Sequence, residues 1–187
     1  MKPFELRTAR LLLDQPNAED VDAITEYCQD PVFERFLSTP WPYRRSDAEK
    51  FVEKVVPNGW ADDLEYTWAI RLDGRFLGPI GIRVRRRDIG FWLGAPFRGN
   101  GYMPEAVTAV LDWAFSVSRS DVLWECYLGN AASVAVARKT GFTFRGEGTA
   151  LVPDRDGTFP QALKGTISMT DTREPKPGWP TLRAGDH

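Results

Sequence analysis

The sequence predicts an α/β fold: a mixed, largely antiparallel sheet with helices on both faces. Three observations carry this. An alternating stretch, "YTWAIRLDGRFLGPIGIRV", has Asp73-Gly74 at its centre and reads as a hairpin. A further strand, "DIGFWLG", follows directly. After that, helix and strand alternate to about residue 170, with two more strands at the end.

The elements follow in order. "LRTARLLLDQP" reads as one first strand. "NAEDVDAITEYC" is a helix capped by Asn17, with acids in its first turn and Val21, Ile24 and Tyr27 or Cys28 on one face. "PVFERFL" is a short helix, and "STPWPYRR" breaks regularity with two prolines. Ser46 and Glu49 stand at capping-box spacing and open a helix that "NGW" ends. After the hairpin and third strand, Val107, Val110, Leu111, Ala114, Phe115 and Ser118 mark one face of a long helix with Pro104 in its first turn. "VLWECYL" is a strand, and "NAASVAVARKTG" a helix capped by Asn130 and stopped by Gly141. "FTFRGEG" and "ALKGTISMT" are the last strands. One domain over residues 1–170 results, with a Pro- and Gly-rich tail over 171–187 expected to be loosely held.

Composition narrows the chemistry. The 187 residues are 42% hydrophobic and 27% charged, with a formal charge of −2, so the global field does not attract nucleic acid. "RVRRR" reads as a solvated hairpin end or, against the charge balance, an RNA contact. There is no membrane-length apolar run, and "MKPFELRTAR" is not a signal peptide, so a cytoplasmic protein is expected. Cys28 and Cys126 have no metal spacing and read as two buried free thiols, with a disulfide as the alternative. The single histidine is His187, which argues against Ser–His–Asp, Cys–His and His-ligated zinc chemistry. Acid–base work falls to carboxylates, hydroxyls, Lys or Tyr.

The junction "FWLGAPFRGNGYMPEAV" is the most informative stretch. A helix N-terminus presents unpaired N–H groups at the positive end of its dipole, and a phosphate fits there. Gly99 and Gly101 allow positive φ and close approach, and Arg98 adds a cation. The turn therefore reads as an anion cradle, with a plain tight connection as the alternative. Pro104 stands where a dinucleotide fingerprint needs its third glycine, and no Walker Gly-Lys-Ser/Thr is present.

"DIGFWLGAPFRGNGYMPEAV", followed by "VLWECYLGNAASVAVARKTGF", resembles the GNAT superfamily of acyl-CoA-dependent N-acyltransferases, and most closely its RimJ/RimL-like branch of ribosomal-protein N-terminal acetyltransferases. "LRTARLLLDQP" and "WPYRRSDAEKFV" are also typical of that branch, and the similarity covers roughly residues 5–170. The resemblance implies that the sheet splays between its fourth and fifth strands to admit acetyl-CoA as co-substrate, with no metal. It implies that Arg98, Gly99, Asn100, Gly101, Tyr102 and Met103 hold the CoA diphosphate. Pro96 departs from the superfamily's Gln/Arg-x-x-Gly-x-Gly/Ala pattern. Phe91, Trp92 and Leu93 would pair with the pantetheine arm, with an N–H near Leu93 stabilising the oxyanion. Asn130, Ser133 and Lys139 match the second motif, with Gly141 and Phe142. Asn130 would cap its helix, contact the acyl-CoA arm, or do both. Ser133 is either a small helix residue or the proton donor to the thiolate, a role that falls to it or to a water because Ala137 stands where many relatives carry Tyr.

For the base, Asp88 matches a position often held by Glu, or is a hairpin-turn acid. Glu125, a carboxylate among apolar strand residues, is base or structural partner. Phe36, Trp41 and Tyr43 would wall the acceptor site, with core packing as the alternative for Trp41 and Tyr43. The expected reaction is direct acetyl transfer to a primary amine in a ternary complex. That amine would be a protein N-terminus, an aminoglycoside, a polyamine or a small amino compound. A second reading is an acyl-CoA-binding module without turnover. Homodimers are frequent in the branch, and neither nucleic acid nor membrane is expected as partner.

Overall fold

The computed structural model describes residues 1–181; His187 lies outside them. An eight-stranded sheet runs in the order β1-β2-β3-β4-β5-β6-β8-β7. Its strands are β1 (Leu6–Arg7), β2 (Leu12–Asp14), β3 (Glu65–Leu72), β4 (Arg75–Arg83), β5 (Asp88–Phe91), β6 (Val122–Tyr127), β7 (Thr143–Thr149) and β8 (Gln161–Ile167). Every neighbouring pair is antiparallel except β5 and β6, which are parallel.

The expected single first strand is two. Thr8 accepts the Leu11 N–H at 2.8 Å, and this turn folds Leu6–Arg7 back onto Leu12–Leu13. The Asp73-Gly74 turn forms as read, with positive φ at both residues. The helices are α1 (Val21–Tyr27), α2 (Pro31–Phe36), α3 (Arg45–Lys50), α4 (Val56–Ala61), α5 (Tyr102–Val117) and α6 (Ala131–Lys139).

The expected helix from Ser46 starts one residue earlier. Asp47, not Glu49, accepts the N–H of the capping residue, Arg44, at 2.9 Å. "NGW" does not end it either. A π turn at Phe51–Val55 joins α3 to α4, which contains Asn58, Gly59 and Trp60. Pro57 explains the π turn, because it offers no N–H to the preceding turn and its ring crowds that turn.

Register sorts the sheet into two faces. Glu65 pairs with Arg83, Arg83 with Asp88, and Asp88 with Leu123, so these share one face with Gly90, Trp92 and Glu125. Helices α1 and α2 cover part of that face through Tyr27 on Phe76 and Phe33 on Trp92. The opposite face carries Ile80, Ile82, Ile89 and Trp124, all buried. It meets α5, whose Val107, Val110 and Leu111 are fully buried, and α6.

Residues 172–181 are packed rather than loose, and the rest of the expected tail lies outside the described residues. Trp179 lies 5.5 Å from Trp124 and 5.3 Å from Phe144 between ring centres, and Arg173 pairs with Asp112 at 3.0 Å. A Cβ on Gly141 would come within 2.3 Å of the Thr172 carbonyl, so the strap runs directly over that turn. Among the described residues, no helix is long and apolar enough to cross a membrane.

Candidate active site

β5 and β6 pair only at Asp88–Leu123 and Ile89–Trp124. Beyond that point β6 stays with β8 as far as Tyr127, while β5 turns back toward β4: Trp92 and Gly94 donate to the carbonyls of Pro79 and Leu77 at 3.2 and 2.9 Å. The two strands therefore diverge. Because the first strand is split, these are the fourth and fifth strands of the sequence reading.

Strand alternation aims the N–H of Leu93 into the gap, opposite to those of Trp92 and Gly94, and among the described residues it has no acceptor. Helices α5 and α6 both begin at this end, since one follows β5 and the other follows β6. A crevice at the carboxyl ends of parallel strands, facing helix N-termini, favours an anionic ligand.

The N-terminus of α5 is open. Gly101 is its capping residue at φ +78°, and Gly99 stands at φ +82°; both values favour glycine. The N–H groups of Gly99, Asn100, Gly101, Tyr102 and Met103 donate to no acceptor among the described residues. The Asn100 side chain turns inward onto the carbonyls of Phe97 and Arg98.

Arg98 does not supply the free cation expected of it. Its guanidinium bonds Asp30 at 2.7 Å and the Leu93 carbonyl at 3.0 Å, so it ties the loop to the start of α2. A different arginine, Arg10, reaches the loop and bonds the Asn100 carbonyl at 3.2 Å.

The N-terminus of α6 carries a side-chain cap. Asn130 Oδ1 accepts the Ser133 N–H at 3.1 Å. Ser133 Oγ in turn accepts the Trp124 indole N–H at 3.1 Å, so its own hydroxyl proton serves as a donor, with the Cys126 sulfur within its reach. Cys126 lies beside it, and burial pushes that thiol up to about 12. Burial does the same to Cys28, so both thiols stay protonated near neutral pH. Lys139 is exposed at the far end of α6, six residues and ~9 Å along the axis from Ser133, and is not brought to the crevice.

The carboxylates differ. Asp88 is 2% exposed and clamped between Arg83 and Arg86, so it is not the solvated turn acid of the sequence reading. Arg87 bonds the carbonyl of Asp121, and with Arg83 and Arg86 this turns most of "RVRRR" onto the protein itself. Glu65, which sequence reading missed, extends the row: it pairs with Arg83 at 3.3 Å, and desolvation pushes its carboxyl up against that attraction. Strand register could have found it, since it lies directly across from Arg83.

Glu125 is half-buried. It accepts the Leu151 N–H at 2.9 Å and the Lys164 ammonium at 3.2 Å. Arg86 bonds the Leu151 carbonyl at 3.1 Å, and Arg155 donates to the carbonyls of Glu34 and Leu37 at 2.6 and 2.9 Å. The turn between β7 and β8 is thereby held against the end of α2. Phe36 and Trp41 are partly buried, and Tyr43 belongs to the core at 8% exposure.

The sequence matches the Acetyltransferase (GNAT) domain family over residues 10–143, more than half of its length. The chain belongs to that family and is an N-acetyltransferase. No curated protein matches the sequence.

Solved structures share the fold at low identity. Microcin C7 self immunity acetyltransferase MccE, solved with acetyl-CoA and AMP, is 18% identical with a TM-score of 0.73, over 87% of this chain and 94% of that one. RimL, a ribosomal L7/L12 alpha-N-protein acetyltransferase in complex with coenzyme A, is 18% identical with a TM-score of 0.75, over 88% and 98%. RimJ from Mycobacterium smegmatis, in complex with CoA-disulfide, is 19% identical with a TM-score of 0.72, over 89% and 87%.

Proposed function

We propose that the protein moves the acetyl group of acetyl-CoA directly to a primary amine held in the gap between β5 and β6. The observation that carries this is the row of five unengaged main-chain N–H groups at residues 99–103, at the start of a sixteen-residue helix. Together with the helix dipole they suit a diphosphate. The extended backbone of Phe91, Trp92 and Leu93 then runs along the pantetheine arm. The Leu93 N–H faces the thioester oxygen and stabilises the charge that develops on it as the amine attacks the carbonyl carbon. Ser133, held in place by Trp124 and by the Asn130 cap, passes its hydroxyl proton to the departing thiolate as it takes one from a solvent water.

Glu125 takes the proton of the incoming ammonium through a water. Of the two carboxylates proposed for this role it is the one without two guanidinium partners, whereas Asp88 serves to hold Arg83 and Arg86. Phe36 and Trp41 form the wall for the acceptor's carbon skeleton. The structural likeness to RimL, whose name gives a protein N-terminus as its acceptor, supports an N-terminal amine as the first acceptor to try.

The test is thiol release from acetyl-CoA over a panel of N-terminal peptides, aminoglycosides, polyamines and small amines. Release with one amine class, reduced at least ~10²-fold by E125Q at neutral pH, supports the reading. No release above hydrolysis with any class contradicts it.

A further inference from the structure

Arg10 lies in the turn between β1 and β2, ninety residues before the loop it touches. Its Nε and Nη2 both meet Glu105 Oε2 at 2.7 Å, and its own N–H meets Glu105 Oε1 at 3.0 Å. Thr8 Oγ1 donates to the same Oε1 at 2.5 Å. The remaining arm of the fork, Nη1, bonds the Asn100 carbonyl at 3.2 Å, and the guanidinium lies 4.8 Å from the centre of the Tyr102 ring.

The geometry of the peptide unit gives this contact a consequence. In a trans peptide the C=O and the following N–H point in opposite directions. Holding the Asn100 oxygen toward Arg10 therefore aims the Gly101 N–H the other way, to the open side of the loop. That restraint matters because glycines flank Asn100 on both sides, and such a peptide flips readily when nothing holds it.

Resting on the reading of residues 98–103 as the diphosphate cradle, we infer that Arg10 is a positioning residue for co-substrate binding. It fixes the plane of the 100–101 peptide and so pre-arranges the donor row. Glu105 is its anchor: it orients the guanidinium and offsets its charge, so Arg10 acts through the loop and not as a phosphate ligand itself.

The experiment compares wild type, R10A, R10K and E105Q in acetyl-CoA calorimetry, and in kinetics with two acetyl donors, acetyl-CoA and S-acetylpantetheine, which has no diphosphate. R10A raises Kd and KM for acetyl-CoA ~10-fold with kcat nearly unchanged, the signature of lost pre-organisation. With S-acetylpantetheine, wild type and R10A are equal. R10K restores less than half of the loss, because one ammonium cannot span Glu105 and the Asn100 carbonyl together. E105Q weakens binding in the same direction, and the double variant is no worse than R10A alone.

Equal loss with both donors overturns the inference in favour of a merely structural role. So does an unchanged Kd in a folded R10A. Wild type that fails to take up acetyl-CoA removes the cradle itself, and the role of Arg10 with it, which separates the two failures.

Discussion

The two helices that open onto the crevice begin in opposite ways. At α6, the Asn130 side chain takes the Ser133 N–H and the Gly129 carbonyl takes the Ala131 N–H. At α5, glycine occupies the capping position, no side chain caps, and five successive N–H groups remain open. An asparagine cap adds stability, whereas an uncapped glycine start gives it up. On the proposed reading the contrast is a division of labour: the start of α6 would hold the Ser133 hydroxyl in place, and the start of α5 would keep its donors for the diphosphate.

The largest effect is expected from breaking the open end. Gly101→Val places a β-branched side chain at φ +78°, where left-handed backbone costs about 1–2 kcal/mol or more. Its Cβ would also stand 3.5 Å from Arg10 Nη2 and press on the side chain that holds the loop. Calorimetry should find acetyl-CoA affinity reduced by at least ~10²-fold with circular dichroism unchanged.

Next comes the hydroxyl held by the capped end. Ser133→Ala should lower kcat by ~10–10²-fold with little change in KM for acetyl-CoA, measured by steady-state kinetics. A KM effect with intact kcat would make Ser133 a binding residue only.

Asn130→Ala removes the cap itself. A loss of about 0.5–2 kcal/mol is expected, read as a fall of several degrees in Tm. Acetyl-CoA should restore part of it by mass action.

The smallest effect is on pH. Desolvation pushes the Glu105 carboxyl up, but hydrogen bonds from Thr8 and Arg10 outweigh it and hold the group below its ordinary value of 4.5. A depressed carboxyl contributes stability that is complete above its unfolded value and fades as pH falls through the folded one. Acid titration of wild type should therefore show a loss below about pH 4.5 that E105Q lacks.

Much of this contrast was legible in the sequence. Gly99, Gly101 and the apolar face of α5 are local signals, and so is Asn130 as a cap. The hairpin follows from the alternation around Asp73-Gly74, and the GNAT resemblance, which the glycine turn and the Asn130 motif carry, implies the diverging strands. What escaped depends on contacts between distant segments. Arg98 looks like a phosphate cation until Asp30, sixty-eight residues earlier, is seen to take it. Arg10 reads as a strand residue until the β1–β2 turn places it under Asn100. Trp179 sits in a Pro- and Gly-rich stretch whose composition says nothing of the Trp124 and Phe144 rings that receive it. The turn at "NGW" was misread because a helix can absorb Pro57 by widening into a π turn.

The most direct measurement is a crystal structure with acetyl-CoA bound. The account predicts diphosphate oxygens at about 3 Å from at least three of the main-chain nitrogens of residues 99–103. It also predicts the thioester oxygen next to the Leu93 N–H. Phosphates docked elsewhere, with those five nitrogens facing only water, would contradict it.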